Sequence, residues 1–457
     1  MRYISYFHLF VFCVTVLIGQ SLSTGEALGN DAESSALDTI QVLELSTAEH
    51  IALADNPSLA AAGERVRQAR ERVLQAASAY WPRVDATASG SRVWLSDNGY
   101  RPDVDDPEDY YNAGLTATWV LFDGFERRFS VAAASFAEQE SEEAEMNTRR
   151  LLLSSVAAGY YNAQLAGENI GIAEADEVFY RRQVEDAKAR RRVGTGSLSD
   201  VLNFQIQVNS AKSRLIESKQ AYKVAMFGLA ALMGIPDAAF PSGMELARLD
   251  TESSEELVPP EPDPLIDYAL AHRPDILQNG YASERAASAV GQARAKFFPT
   301  VSLSATFRGE RTGSAAFESG DFGSTVGLNF SYNLFDAGAD RSKLREAKLR
   351  KTEVEKSMEN VRITVISEVR GAIANLKSAQ KQLALQRSNA GLVRKNRDLA
   401  EKEYNAGQSS LVRLNEAQRD MITAQARLAL ALVSLRQAWH SLQVSTAQIL
   451  ARSGVQK

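Results

Sequence analysis

One length occurs twice in this chain, and it constrains the fold more than any other feature. The interval from Phe122-Asp123-Gly124 to Gly194 has the same length as the interval from Phe335-Asp336-Ala337 to Gly407. Each begins where an alternating segment ends, continues as a helix-compatible run, and stops at a glycine turn. A helix filling most of that interval is roughly 100 Å long at about 1.5 Å per residue. No globular core needs such a helix. Two copies of one length predict a measured, rigid element.

The flanking segments repeat in the same order. Residues 44–80 predict a helix interrupted at Asn56-Pro57 and stopped at Tyr80-Trp81-Pro82, since proline pushes its predecessor out of the α region. Strands are predicted at about 83–96 and 111–122, separated by an acidic loop over 97–109. In the second of them Tyr111, Ala113, Leu115, Ala117, Trp119 and Leu121 alternate with mostly polar or small residues. The long helix, the turn at 193–197 and a return helix from Leu198 to Met233 complete a first unit, 44–236. A linker rich in proline and acid spans 237–264. The second unit, 265–452, restarts with Arg273-Pro274 and Phe298-Pro299 in the places of Asn56-Pro57 and Trp81-Pro82. Strands follow at about 299–308 and 324–335, then a long helix, the Gly407 turn and a final helix from Leu411. Pro82 and Pro299, the prolines before the strands, lie slightly further apart than the turn glycines Gly194 and Gly407. The difference falls in the loop between paired strands, so loop length drifted while helix length held. The chain is a tandem duplication of helix, two strands, long helix and helix.

Composition narrows the classes. A net charge of −6 offers no basic footprint for nucleic acid. The single cysteine, Cys13, sits inside an apolar run from Tyr3 to Gly19, read as part of a signal peptide, 1–23, that precedes a disordered mature N-terminus, 24–43. No later window is apolar enough for a membrane-spanning helix. The four alternating segments have the length of tilted transmembrane strands. Four strands cannot close a barrel, and open edges cannot face lipid because their backbone groups lack partners. Several chains must therefore share one barrel: two copies supply eight strands, three supply twelve. The charged long helices, paired with their return helices, would then continue that barrel as a helical cylinder in water. His8, His50, His272 and His440 show no metal-ligand spacing, and no phosphate loop, zinc-protease motif or nucleophile elbow occurs. The expectation is a protein without enzymatic activity, cofactor or metal.

The junctions Trp119-Val-Leu-Phe-Asp-Gly124 and Asn333-Leu-Phe-Asp-Ala-Gly338, the segment Ala271-His-Arg-Pro-Asp-Ile276 and the duplicated glycine turns resemble the TolC-like outer membrane efflux proteins over about 44–452. The resemblance implies a mixed α and β membrane protein: a homotrimer with a twelve-stranded β-barrel in the outer membrane of a Gram-negative bacterium, continuous with a periplasmic α-helical barrel. It implies passive transport, and docking of a periplasmic adaptor and an inner-membrane ABC or RND transporter at the periplasmic tip. Carried onto this chain, the tip comprises Val193, Gly194, Thr195 and Leu198 in one turn and Ala406, Gly407, Gln408 and Leu411 in the other. Positions that are acidic in the best-known member are Arg413 and Glu416 here. An arginine ring cannot act as an acidic one. The expectation is that in a trimer Arg413 pairs with Glu416 or with Asp200, its repeat counterpart, to close the entrance. Since no acylated N-terminal cysteine is present, the expected duty is type I protein secretion. The alternative is the outer-membrane part of an RND-type drug, solvent or metal-ion efflux pump. A more distant alternative is a soluble periplasmic coiled-coil scaffold.

Overall fold

The computed structural model describes residues 40–94, 107–241, 243–249 and 257–452. The signal peptide, most of the expected disordered segment and most of the acidic loop lie outside these residues. The first unit consists of β1 (Val42–Leu43), α1 (Leu45–Asp55), α2 (Pro57–Ser78), β2 (Arg83–Val93), β3 (Glu108–Phe122), α3 (Glu126–Arg192) and α4 (Leu198–Met233). The second consists of β4 (Glu245–Leu246), α5 (Pro262–His272), α6 (Pro274–Ala295), β5 (Thr300–Thr312), β6 (Phe322–Ser331), α7 (Ala339–Asn405) and α8 (Leu411–Ser445), with α9 (Gln448–Arg452) closing the chain. The pieces match in size: α1 and α5 have 11 residues, α2 and α6 have 22, and α3 and α7 have 67. Helices α4 and α8 have 36 and 35.

Each long helix is flanked along its length by shorter helices. Helix α3 packs against α2 and α6 over its first part and against α4 and α8 over its second, while α7 packs on α5, α6 and α8. The prolines set the breaks between α1 and α2 and between α5 and α6. Pro57 and Pro274 occupy the first helical position, where a missing N–H costs nothing. The Asn56 side chain caps α2 by accepting from the Ser58 and Leu59 amides at 2.9 and 3.3 Å, and donates to the Leu232 carbonyl at 2.9 Å, holding the break against α4. At the equivalent break Arg273 binds Asp275 and Glu368, each at 2.6 Å, and donates to the Ser445 carbonyl at 3.0 Å. Arg150 donates to the neighbouring Val444 carbonyl at 3.1 Å. Two guanidinium groups thus cover the last carbonyls of α8, which is where a helix favours positive charge.

Two segments differ from the sequence expectation here. Val42 and Leu43 form a strand rather than a disordered end, paired in parallel with Glu245 and Leu246. The 237–264 linker accordingly contains β4, and α5 begins inside it at Pro262. The pairing buries Leu43 in a core with Ala48, Ala52, Val156, Tyr160, Leu229 and Met233. Contacts from far along the chain make that strand, so local pattern could not reveal it.

The other four strands form one antiparallel sheet in the order β2-β3-β5-β6. β5 extends past the expected residue 308 to Thr312, because Gly309, Glu310, Arg311 and Thr312 pair with Ala113, Asn112, Tyr111 and Tyr110 of β3. β6 begins at Phe322 and stops at Ser331, short of the expected 335, since β5 offers no residue beyond Thr300 to pair with it. At the base of the sheet Arg127 binds Asp123 at 2.8 Å and the Val120 carbonyl at 2.5 Å, fixing β3 to α3. Gly124 makes the turn at φ +68°, and a Cβ there would stand 2.5 Å from the Ala295 carbonyl oxygen. Gly124→Ala is therefore expected to lower the thermal unfolding midpoint clearly. A conformational penalty of about 1 kcal/mol or more adds to the clash.

A partly buried acid on α1 and a buried base on α8 approach each other. Glu49 Oε1 and His440 Nδ1 are 3.9 Å apart, too far for a hydrogen bond. Burial pushes the Glu49 carboxyl up to about 7, against the pull of Arg452, and pushes His440 down to about 4. Between about pH 4.5 and 7 the folded Glu49 holds a proton that the unfolded chain has lost, so its share of stability falls as pH rises. Between about pH 4 and 6.5 the folded His440 lacks a proton that the unfolded chain binds, so its share rises with pH. The two slopes oppose each other. Glu49→Gln is expected to leave a stability that rises with pH over 4–6.5, and His440→Gln one that falls over 4.5–7, read by thermal unfolding at stepped pH.

Candidate docking tip and channel entrance

The far ends of α3 and α7 carry the two turns singled out from sequence, and the structure brings them side by side. Gly194 and Gly407 adopt φ +82° and +73°, the left-handed conformation that ends a helix most readily when no Cβ is present. The amides after each turn close back on the helix: Thr195 donates to the Arg190 carbonyl at 2.9 Å, and Gln408 to the Glu403 carbonyl at 2.8 Å. Ser197 and Ser410 then start the return helices as N-caps, accepting from the Ser199 and Arg413 amides. Val193, Gly194, Thr195, Leu198, Ala406, Gly407 and Gln408 are exposed and Leu411 is half-buried. No side chain fills the space beside either glycine. The space beside both turns is open.

Behind the exposed turns lies a firm core of Tyr180, Val184, Ala187, Val201, Phe204, Ala211, Tyr404 and Leu414, drawn from all four helices. Arg190 is the connection that sequence reading missed. Its guanidinium sits 4.7 Å from the Tyr404 ring centroid and donates to Asn405 Oδ1 at 2.7 Å. The sequence presented Arg190-Arg191-Arg192 as one basic run, and nothing local distinguishes its first member. Tyr404 packs edge-on to Phe204, with centroids 6.0 Å apart, and its hydroxyl reaches Asp200 Oδ2 at 3.4 Å. Higher up, the fully buried Asp176 accepts from Arg214 at 2.5 Å and from Gln418 at 2.9 Å, tying α3 to α4 and α8. Asn415 donates to Asn203 Oδ1 at 3.0 Å, joining the two return helices directly.

The pairing expected of Arg413 belongs to the assembled entrance, and the single chain shows the contacts from which it starts. Within the protomer Arg413 approaches Glu403 at 3.8 Å, not Glu416 or Asp200. Arg413 is on the first turn of α8 and bends back onto the end of α7, where Glu403 is half-buried beside it. Asp200 serves as acceptor for Tyr404 instead. Glu416 is exposed. Arg190→Ala removes a cation–π contact, about 0.5–2 kcal/mol, and a hydrogen bond, about 1 kcal/mol. It is expected to speed hydrogen exchange over both turns and leave the sheet unaffected.

Comparison with known proteins agrees with this geometry. Residues 49–235 and 265–448 match the family model described as outer membrane efflux protein, which covers the two repeats. A probable efflux pump outer membrane protein of Pseudomonas putida, TtgC, is 28% identical over 76% of this chain and 71% of its own. The alkaline protease secretion protein AprF of Pseudomonas aeruginosa is 28% identical over 83% of this chain and 82% of its own. Further relatives from Pseudomonas putida are named for antibiotic, toluene and solvent efflux. Among solved structures, the outer membrane protein VceC of Vibrio cholerae shares the fold at a TM-score of 0.73 and 21% identity, over 88% of this chain and 95% of that one. The chain belongs to the outer membrane efflux protein family. It resides in the outer membrane and extends into the periplasm, as a passive channel component of a tripartite export system rather than an enzyme.

Proposed function

We propose that this outer membrane efflux protein works as a homotrimer, in which three four-stranded sheets close a twelve-stranded barrel and the helices form the tube beneath it. The observation that carries the reading is the equal length of α3 and α7, 67 residues each, with both ending in an exposed glycine turn. Helices that form one wall must end at one depth if their tips are to form a ring. Among the described residues no helix is long and apolar enough to cross a membrane. The sheet carries Val326, Leu328 and Phe330 on one face, all well exposed in the single chain, and in this reading that face meets lipid once the barrel is closed.

The tip, with Val193, Gly194, Thr195, Leu198, Ala406, Gly407, Gln408 and Leu411, is the docking surface for a periplasmic adaptor helix. Its glycines admit close backbone approach, and Val193 and Leu198 are exposed apolar anchors. Through the adaptor the channel meets its inner-membrane transporter. The cargo reading departs from the sequence expectation of type I secretion. Relatives named for antibiotic, toluene and solvent efflux favour a small-molecule pump of the RND type, although AprF is named for secretion of a protease. Loss of this protein is then expected to sensitise its host to toluene and hydrophobic antibiotics and to leave secreted proteins at normal levels. Retention of a secreted protein without altered sensitivity would reverse the assignment.

At the entrance Arg413, Glu416 and Asp200 form a mixed-charge ring once three copies assemble, with Arg413 held between its own Glu403 and the neighbouring subunit's acids. Arg413→Glu is expected to raise single-channel conductance in a planar bilayer several-fold and to shift selectivity towards cations. Unchanged conductance and selectivity would remove Arg413 from the gate.

A further inference from the structure

The two faces of the sheet differ in chemistry at its base. Register places Arg83 opposite Thr118 and Thr118 opposite Ser304, with Val120 opposite Ser302 and Thr300 opposite Ser331 on the same side. Val84, Trp119, Leu303, Leu328 and Phe330 belong to the other side. The first side is mostly polar, and in the trimer proposed above it faces the lumen. At its lower end, where β2, β3 and β5 meet the end of α2 and the start of α3, lies a cavity of about 790 Å³. Its walls include Trp81, Arg83, Thr118, Val120 and Ser302. Its size is that of a site for a small organic molecule.

We infer that this cavity is a contact site for passing cargo, and that it takes planar aromatic molecules carrying a carboxylate. The inference rests on the trimeric, small-molecule reading above. Trp81 is 76% exposed and offers an indole face on which an aromatic ring can stack. Its N–H and the hydroxyls of Thr118 and Ser302 have no hydrogen-bond partner among the described residues. Arg83 binds Asp85 through Nε alone, at 2.8 Å, so its terminal nitrogens are unspent. The guanidinium can hold Asp85 along one edge and a carboxylate along another, the forked geometry that suits arginine. Both acids that line the cavity are paired with neighbouring bases, Asp123 with Arg127 and Glu126 with Lys296, each at 2.8 Å. No unpaired negative charge there opposes an anion.

Assembly leaves the site open. Trp81-Pro82 is the repeat counterpart of Phe298-Pro299. The seam beside Phe298 is already closed within the chain, where its Cβ would stand 2.7 Å from a Cβ at Gly124. Phe298 is nonetheless 45% exposed. A neighbouring copy in the equivalent place beside Trp81 therefore leaves much of the larger indole ring free. The repeat also assigns the site to the first unit. Thr300 stands where Arg83 does, so the second junction offers a ring and a hydroxyl but no guanidinium.

Calorimetric titration of the full-length protein in detergent, with protein-free micelles as the blank, tests the site. The probes are 2-naphthoate and its neutral analogue 2-naphthalenemethanol. The wild-type protein is expected to bind 2-naphthoate saturably. Arg83→Gln is expected to weaken 2-naphthoate several-fold and leave 2-naphthalenemethanol unchanged. Trp81→Ala is expected to weaken both probes several-fold, and Trp81→Phe to regain most of that loss. Both side chains are exposed, so the substitutions leave the fold intact. Absence of binding by the wild type, one affinity for 2-naphthoate in all variants, or an equal loss of both probes in Arg83→Gln overturns the site. Light scattering of the same samples separates this from the assembly. A monomer defeats the trimeric reading and with it the lumen placement, whereas a trimer lacking the expected binding pattern defeats the site alone.

Discussion

The structure depends on the fact that a very long polar helix cannot hold itself in place. Neither α3 nor α7 has an apolar stripe sufficient for a conventional core, and isolated helices are stabilised chiefly by what they pack against. Each therefore needs partners along its full length. Because the return helices, α4 and α8, are roughly half as long, other helices must cover the remainder. Helices α2 and α6 do so, and this division accounts for where the chain breaks. Asn56-Pro57 and Arg273-Pro274 mark the level at which one partner ends and the next begins. Buried polar groups concentrate at that level, where Arg150 and Arg273 cover the end of α8 and Asn56 ties the start of α2 to α4.

The same division separates a fixed part from an adaptable part. The mid-level junction is closed by buried cores and by charged side chains bound to helix ends, interactions that are costly to break in a low-dielectric setting. Beyond the tip's own core, its outermost turns are closed by one arginine on one tyrosine, an amide contact and a long hydroxyl contact. Contacts of that kind are individually weak and partly exposed, so local opening there is far easier than at the junction. Local opening of the outermost turns can therefore occur while the mid-level junction stays intact.

Much of this was legible in the amino-acid sequence, and the parts that were not share a cause. Prolines, turn glycines and the repeated interval between junction and turn revealed the order of elements and the equality of the two long helices, because each signal is local. Strand ends were less legible. Gly309 to Thr312 read as loop and are strand, since their partners lie far earlier in the chain, in β3. Residues 332–335 read as strand and are irregular, since the chain supplies no neighbour on that side. At the tip, both turns were found, but the role of Arg190 depends on Tyr404 and Asn405 arriving beside it. Within the chain Arg413 lies towards Glu403, a contact that the local pattern around the second turn did not reveal.

The two repeats also differ at the junction between sheet and long helix. The junction of the first repeat faces α6 within the same chain, and it is tightly built: Gly124 admits the Ala295 carbonyl, and Arg127 holds Asp123 and the carbonyls of Val120 and Leu121. In the second repeat Ala337 stands at the position of Gly124 and Asp340 at that of Arg127. Asp336 is satisfied there by the Gly338 and Asp340 amides, which hold its carboxyl below the usual carboxylate range. That is a cap made wholly from local backbone, needing nothing from a neighbouring helix. A seam inside one chain forms once, during folding, and can rely on contacts of strict geometry. In the trimer proposed above the second junction would meet a neighbouring copy, and a cap that closes on its own chain is complete before that copy arrives.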